Sequence, residues 1–307
     1  MTCNISTIVV VNDRITMKAT LTLLIAAEVI LALYPCDSSS QSKGSKGKKM
    51  QCEVTGSGRP IVLVPGGLTG WASWEPFVKN FSSTRTVIRV QLLGVQFGLE
   101  NRALPEDYSV KTESGALAAT LDSLGYDMPI DVVAWSFGAF ASIDYALDHP
   151  ELIRTLTLIE PPAMWVLRET GKWDDEAQRT ADFFETQKGD IPEEMLAEFL
   201  LHVGLLGPGQ SARELPQWNY WVPFRRSLRV NPSVVSFRDD MRRLNNFQPP
   251  VLLVKGTGST NWLHHIIDGL AITIPHSSIA EFPGGHASHI VSRDKFISEL
   301  EKFQNGL

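Results

Sequence analysis

The chain has 307 residues, of which 43% are hydrophobic, 20% charged and 9% aromatic, and its net charge is −6. This composition excludes a collagen-like repeat and a disordered chain, and the mild acidity argues against a nucleic-acid binder, which needs a basic patch. The only cysteines are Cys3, Cys36 and Cys52, so the long remainder of the chain has neither a disulfide framework nor a cysteine-based metal site. We expect a globular protein large enough to hold a buried site.

The first 49 residues differ in composition from the rest. Residues 19–35 (ATLTLLIAAEVILALYP) form a short apolar run like that of a signal peptide or membrane anchor, although Glu28 in its middle is unfavourable in a bilayer. Residues 39–49 (SSQSKGSKGKK) form a polar linker, whose four lysines would keep the body of an anchored chain cytoplasmic. Three interpretations stay open: a membrane anchor, an export signal, or an incorrect translation start, in which case the protein begins at Met50 and is cytoplasmic.

From Met50 onward, strand patterns alternate with helix patterns. Seven β-rich runs predict strands: QCEV, IVLV, TVIRVQ, IDVVA, TLTLI, VLLV and SIAEF. Helical patterns accompany them at residues 112–124, 138–149, 262–272 and 292–303. This alternation indicates βαβ units and a mostly parallel sheet, so we predict one α/β domain over residues 50–307.

One long stretch interrupts the alternation. Residues from about 165 to 245 carry only helical or irregular patterns, including those at 174–187, 192–203 and 232–244. Such an insertion between two strands predicts a helical cap over the carboxyl edge of the sheet. Its four tryptophans either line an apolar pocket or attach the cap to the core: Trp165, Trp173, Trp218 and Trp221.

Ser136 is the predicted nucleophile. It lies in the segment AWSFG, which follows the strand IDVVA and opens a helix. A serine at such a sharp turn raises its Oγ above the sheet edge, and the turn needs small residues two positions before and after it. Ala134 and Gly138 meet that requirement.

A glycine-rich segment, PGGLTGW, directly follows the strand IVLV. Backbone N–H groups in a turn of this kind can stabilise a developing oxyanion. We predict that the N–H of Gly67, or alternatively that of Leu68, acts together with the N–H of Phe137. The glycine spacing fits neither a dinucleotide fingerprint nor a P-loop.

A second glycine-rich segment, PGGHASH, follows the last predicted strand and precedes the last helix. A general base for Ser136 must approach from a loop at the same edge of the sheet. His286 has this placement and is the predicted base, while His289 is the less favoured alternative.

Together these motifs resemble the α/β-hydrolase superfamily: PGG after the first central strand, AWSFG at the elbow, a helical insertion, and GGH near the C-terminus. The resemblance covers residues 50–307 and implies a mostly parallel eight-stranded sheet flanked by helices, with the cap inserted after the strand that follows the elbow. It also implies a Ser–acid–His triad in that chain order. Because position 136 is serine, the resemblance points away from the dehalogenases and epoxide hydrolases of the superfamily.

The acid departs from the superfamily's pattern. The segment KGTGST after VLLV contains no carboxylate, and Ser259 stands where the superfamily usually has aspartate. The other loop that supplies the acid in the superfamily follows TLTLI, and there Glu160 is predicted to orient His286. The alternative is a structural or pocket-lining role for Glu160. Two remoter candidates for the acid are Asp239 and Asp268.

The predicted activity is that of a serine hydrolase acting on an ester, a lactone or a similar carbonyl compound. This activity implies no metal ion, nucleotide or other cofactor. We expect a small apolar organic substrate and no nucleic-acid partner, and membrane association through residues 19–35 stays open. The predicted substrate contacts are Leu68, Trp135 and Trp165.

Two other functions stay open. The missing aspartate suggests a non-catalytic ligand-binding protein on a hydrolase scaffold, and a lyase or acyltransferase would reuse the same site, since fold and motif do not determine the reaction. A basic cluster in the insertion either grips a substrate carboxylate or forms a solvated helix face: Arg225, Arg226 and Arg229.

Overall fold

The computed structural model of the protein describes residues 48–207 and 209–306. The apolar segment 19–35 and most of the predicted linker lie outside these ranges, so the interpretations of the N-terminal region stay predictions. Within the described ranges, every helix is too short or too polar to cross a lipid bilayer.

Seven strands form one sheet in the described part of the chain: β1 (Gln51–Thr55), β2 (Arg59–Val64), β3 (Arg85–Gln91), β4 (Ile130–Trp135), β5 (Ile153–Ile159), β6 (Val251–Gly256) and β7 (Ser277–Phe282). Their order across the sheet is β1-β3-β2-β4-β5-β6-β7. β1 pairs antiparallel with β3, and all other neighbouring strands pair in parallel. The carboxyl ends of β2, β4, β5, β6 and β7 therefore meet at one edge of the sheet.

The fold class is confirmed, but the predicted count of eight strands is wrong for the described residues. All seven β-rich runs read from the residues form strands, with ends shifted by one or two positions. The eighth strand was implied by the resemblance alone. The described residues before β1 are 48–50, and they lie outside any strand.

The described residues also form thirteen α-helices: α1 (Glu75–Ser82), α2 (Leu93–Leu99), α3 (Val110–Ser123), α4 (Ser136–Asp148), α5 (Met164–Glu169), α6 (Asp175–Glu185), α7 (Glu193–His202), α8 (Trp218–Trp221), α9 (Asn231–Ser236), α10 (Met241–Asn245), α11 (Asn261–Thr273), α12 (Ser288–Val291) and α13 (Arg293–Asn305). Short 3-10 helices lie at Gly70–Trp74, Pro150–Leu152, Ala212–Glu214 and Val222–Val230.

Both faces of the sheet are buried because its central strands are apolar at nearly every position. In β4, Val133 and Trp135 belong to one core, whereas Val132 and Ala134 belong to the other, as the alternation of side chains along a strand requires. Helices α1 and α13 cover the first face. Helices α3, α4 and α11 cover the second, together with the inserted helices.

Between β5 and β6, the described chain is entirely helical or irregular, as predicted from its pattern. The helix predicted at residues 232–244 is two short helices, α9 and α10, because Phe237 adopts an extended backbone and Asp240 caps the start of α10 by accepting the Arg242 N–H at 2.9 Å. This insertion touches the loop after β2, where Ser227 Oγ donates to the Leu68 carbonyl at 3.2 Å. It therefore lies over the carboxyl edge of the sheet.

Candidate active site

Ser136 lies at the junction of β4 and α4 with a left-handed backbone, φ +54°. This conformation is strained for a residue with a side chain and persists only where the surroundings enforce it. Glycine at position 138 is part of that support, since a Cβ there would lie 2.1 Å from the Pro65 carbonyl oxygen. The missing side chain lets the loop after β2 pass close to the turn.

Three side chains from separate strand ends form one hydrogen-bonded chain. His286 Nε2 lies 2.8 Å from Ser136 Oγ, and His286 Nδ1 lies 2.8 Å from Glu160 Oε2. Glu160 is 0% exposed and His286 is 2% exposed, so the acid and the base are shielded from water. The structure brings together the predicted nucleophile, base and acid, in an arrangement able to move a proton from serine to imidazole.

Glu160 is the first residue after β5, and its φ is +42°. Its Oε1 accepts the N–H of Gly256 at 2.7 Å, and its Oε2 accepts the hydroxyl of Ser259 at 2.8 Å. Both donors reach Glu160 because β5 pairs in parallel with β6, so that the ends of the two strands lie side by side. Ser259, at the superfamily's usual acid position, is thus a hydrogen-bond donor to the carboxylate.

The two remoter carboxylates are engaged elsewhere. Asp239 pairs with Arg243 at 2.7 Å, and Asp268 on α11 pairs with Lys255 at 2.8 Å. The carboxylate that contacts His286 is that of Glu160.

Trp135 fixes the loop that carries His286. Its indole N–H donates to the His286 carbonyl at 2.9 Å in a buried contact. A Cβ on Gly256 would lie 2.3 Å from the Gly285 carbonyl, so the loops after β6 and β7 approach closely. Trp135 was predicted as a substrate contact; its ring does border the cavity described below, but its polar atom serves the histidine loop.

His289 is fully buried behind this site. Its ring packs against Trp74, Phe77, Trp135 and Phe296, with centroid distances from 4.9 to 6.0 Å. Burial, together with the nearby charge of His286, lowers the pKa of His289 to about 3. The alternative assignment of His289 as the base is therefore wrong. Ser136 is hydrogen-bonded to His286, and His289 stays neutral.

A mostly apolar cavity opens over Ser136. Its volume of about 30 Å³ holds about one or two water molecules. The lining residues are Gly66, Gly67, Leu68, Trp135, Ser136, Phe137, Pro162, Phe184, Phe199, Val203, Leu205, Leu228, Asn231, Trp262 and His286.

The predicted oxyanion donors meet at this cavity. Gly67 and Phe137 both line it, and a Cβ on Gly67 would lie 3.2 Å from Phe137 Cβ. Leu68 also borders the cavity, in agreement with its predicted place as a substrate contact. The end of β2 and the start of α4 therefore face the same space as Ser136.

The prediction that Trp165 contacts the substrate is wrong. Trp165 is 0% exposed and is absent from the cavity lining, because its side chain belongs to the larger buried core. The other cap tryptophans also lie outside the lining; the Trp173 ring, for example, stacks on Arg168 at 3.4 Å. The cavity instead uses Trp262 of α11, whose indole N–H donates to the His202 carbonyl at 2.9 Å.

The arginine cluster does not face the cavity. Arg225 donates to the Ile191 carbonyl at 2.8 Å, and Arg226 pairs with Asp190 at 3.3 Å. Arg229 donates to the Arg226 carbonyl at 2.9 Å. These contacts hold the 3-10 helix Val222–Val230 in place, so of the two interpretations of the cluster, the grip on a substrate carboxylate is not supported.

Comparison with known proteins agrees with this fold. The family profile described as alpha/beta hydrolase fold matches residues 59–292. The chain therefore belongs to the alpha/beta hydrolase fold family.

The chain is similar to 2-hydroxy-6-oxo-2,4-heptadienoate hydrolase of Pseudomonas putida, with 36% identity over 107 residues, covering 34% of this chain. The match spans only 38% of that relative's length. It is also similar to pimeloyl-[acyl-carrier protein] methyl ester esterase of Nitrosomonas europaea, with 24% identity over 80% of this chain and 96% of the relative.

Among solved structures, an esterase from Exiguobacterium antarcticum shares the fold with a TM-score of 0.66. Its sequence is 17% identical, and the match covers 83% of this chain and 95% of the esterase. At this identity the likeness concerns the fold.

Proposed function

We propose that the protein is a serine hydrolase that cleaves a carboxylic ester, a lactone or a similar carbonyl compound. One observation carries the proposal: His286 lies 2.8 Å from Ser136 Oγ through Nε2 and 2.8 Å from Glu160 Oε2 through Nδ1. The buried carboxylate favours the tautomer with the proton on Nδ1, which leaves Nε2 free to accept the serine proton.

In the first half of the reaction, Ser136 Oγ forms a bond to the substrate carbonyl carbon while its proton passes to His286 Nε2. The carbonyl oxygen becomes an oxyanion, which the N–H groups of Gly67 and Phe137 stabilise. When the intermediate collapses, the bond to the alcohol oxygen breaks, and the alcohol leaves with the proton from His286. The product is an acyl ester on Ser136.

In the second half, water attacks the acyl carbon and gives its proton to His286 Nε2. The bond to Ser136 Oγ then breaks, the carboxylic acid leaves, and the serine regains its proton. Throughout, Glu160 orients the imidazole and stabilises the imidazolium that forms twice in each cycle.

The cavity supports a neutral, mostly apolar substrate. Its lining residues, all in the described part of the chain, include no Asp, Glu, Lys or Arg. An ionised group would lose its hydration there without a partner.

The two relatives are named as a hydrolase of a hydroxy-oxo dienoate and as a methyl ester esterase, and both names fit cleavage next to a carbonyl group.

The rival interpretation, a non-catalytic ligand-binding protein, was suggested by the missing aspartate. Glu160 places a carboxylate on His286, so that reason no longer favours it. A lyase or acyltransferase would share the same serine, and the fate of the acyl group distinguishes these reactions.

Labelling with a fluorophosphonate tests the proposal, since the probe reacts with an activated serine. We expect modification of Ser136 in the folded protein, none in Ser136→Ala, and normal modification in Ser83→Ala, an exposed control. With p-nitrophenyl butanoate, Ser136→Ala should lower kcat at least about 10³-fold.

Product analysis completes the test. We expect free butanoate in equimolar amount to p-nitrophenol, including when an alcohol is present at low concentration. Undiminished turnover by Ser136→Ala would contradict a serine hydrolase, and an acylated alcohol as the main product would indicate an acyltransferase.

A further inference from the structure

Asn231 is an unexpected residue in the cavity. Among the described residues that line this space, Asn231 has a polar amide side chain, and it is not part of the reacting pair Ser136 and His286. It is 6% exposed and stands at the junction of the 3-10 helix Val222–Val230 with α9. A buried amide without hydrogen bonds is unfavourable, so an apolar residue would serve better if this position only packed against a hydrocarbon chain.

The Asn231 amide is held in place from behind. Its Nδ2 donates to Gln187 Oε1 at 2.5 Å, and Gln187 is 0% exposed. Over residues 48–207 and 209–306, neither Asn231 Oδ1 nor Gln187 Nε2 has a hydrogen-bond partner. The Asn231 amide, which lines the cavity, therefore has hydrogen-bonding capacity that the protein itself does not use.

Asn231 lines the same cavity as the predicted oxyanion donors Gly67 and Phe137. Val230, its direct neighbour, comes within 3.7 Å of a Cβ position on Gly67, and Leu228 also lines the space. An acyl group held with its carbonyl oxygen at Gly67 therefore extends into the cavity that Asn231 borders.

We propose that Asn231 is a specificity-determining residue that hydrogen-bonds a hydroxyl group on C2 or C3 of the acyl part, so that neutral hydroxyacyl esters are preferred substrates. A hydroxyl both donates and accepts, so it pairs with a side-chain amide in either orientation. A carboxylate is the wrong group, because no cationic side chain lines the described cavity. This inference rests on the proposed serine hydrolase function.

Three esters test the inference: the p-nitrophenyl esters of hexanoic, 2-hydroxyhexanoic and 3-hydroxyhexanoic acid. The readout is the kcat/KM of each hydroxy ester divided by that of hexanoate. Comparing this ratio between protein variants cancels the intrinsic reactivity of the esters. In Asn231→Leu we expect the ratio for at least one hydroxy ester to fall about tenfold, because the hydroxyl then meets an apolar wall.

Leu205→Val is the matched control, since it changes an apolar lining residue and should alter the ratio less than about twofold. Circular dichroism checks folding, and Asn231→Ala replaces the leucine variant if that one does not fold. Equal ratios in wild type and in a folded Asn231 variant, for both hydroxy esters, would overturn the inference while leaving the hydrolase proposal intact. Failure of the wild type to hydrolyse any of the esters would overturn both.

Discussion

The Glu160 carboxylate reaches His286 from the end of β5, whereas the superfamily's usual aspartate follows the next strand. Its two oxygens are occupied by Gly256 N–H, the Ser259 hydroxyl and His286 Nδ1, at 2.7 to 2.8 Å. A carboxylate bound by several donors keeps one orientation, as an orienting acid requires.

Replacing the acid tests its role. Glu160→Gln keeps the size of the side chain but removes the charge that stabilises the imidazolium. The same kind of change in a serine protease lowers turnover by about 10⁴, so we expect kcat on p-nitrophenyl butanoate to fall about 10³- to 10⁴-fold. The matched control is Asp268→Asn, whose exposed pair with Lys255 lies away from His286; its kcat should stay within about twofold. A large loss in the control and a small one in Glu160→Gln would reassign the acid.

Moving the acid tests the geometry. Ser259 Oγ is 2.8 Å from the Glu160 oxygen that faces His286, so a carboxylate at position 259 comes within reach of Nδ1. Adding Ser259→Asp to Glu160→Gln should therefore recover at least about tenfold of the lost kcat. Ser259→Asn in the same background has the same shape without the charge and should recover nothing. Equal kcat in the two double variants would show that the strand ends are placed differently.

At the level of elements, the strand–turn–helix unit β4–α4 depends on a missing side chain. Gly138 sits in α4 against the Pro65 carbonyl, whereas Gly115 in α3 has open space around its Cβ position. A close backbone contact thus requires glycine at position 138, whereas no such contact requires it at position 115.

Alanine substitutions should distinguish the two positions. We expect Gly138→Ala to lower the free energy of unfolding by more than about 2 kcal/mol, because a Cβ 2.1 Å from a backbone oxygen forces the helix away from β2. Gly115→Ala should raise it by about 0.5 to 1 kcal/mol through better helix propensity. Urea unfolding measures both. Similar values for the two variants would contradict the close approach.

At the scale of the whole molecule, the sheet carries two separate cores, and the smaller one buries an ionisable group. His289 belongs with Trp74, Phe77 and Phe296 under the active-site edge. Burial lowers the pKa of His289 from 6.5 to about 3 in the folded protein. The unfolded chain, in contrast, takes up a proton near the ordinary value.

This difference makes stability depend on pH. Above pH 6.5 the group is neutral in both states and contributes nothing, whereas below it the unfolded state alone gains a proton, so stability falls until about pH 3. Between pH 7.5 and 5.0 the expected loss from this group is about 2 kcal/mol. His289→Phe should lose that much less than wild type when urea unfolding is measured at the two pH values. An identical loss in both proteins would mean that His289 is protonated in the folded state.

Much of the fold and the site was predictable where the information is local. Ser136 and His286 each sit in a short glycine-containing segment directly after an apolar strand, and turns of this kind depend on neighbouring residues. Glu160 was one of several candidates, because a carboxylate 126 residues away from His286 meets it only through the pairing of β5 with β6 and of β6 with β7. The same pairing brings Ser259 to the carboxylate, and the absence of an acid at position 259 was the signal that pointed to it.

The alternation of apolar strands and helices in the amino-acid sequence was enough to establish a parallel α/β sheet and the strand ends that hold the nucleophile and the base. Packing between distant segments settled the rest. It placed Asn231 and Trp262 in the cavity wall and Trp165 in the core, since an aromatic or amide side chain has no preference of its own between a pocket and a packed interior. Which side chains of a cap helix point inward depends on the surface against which that helix packs. The hydrophobic periodicity of the helix does not determine it.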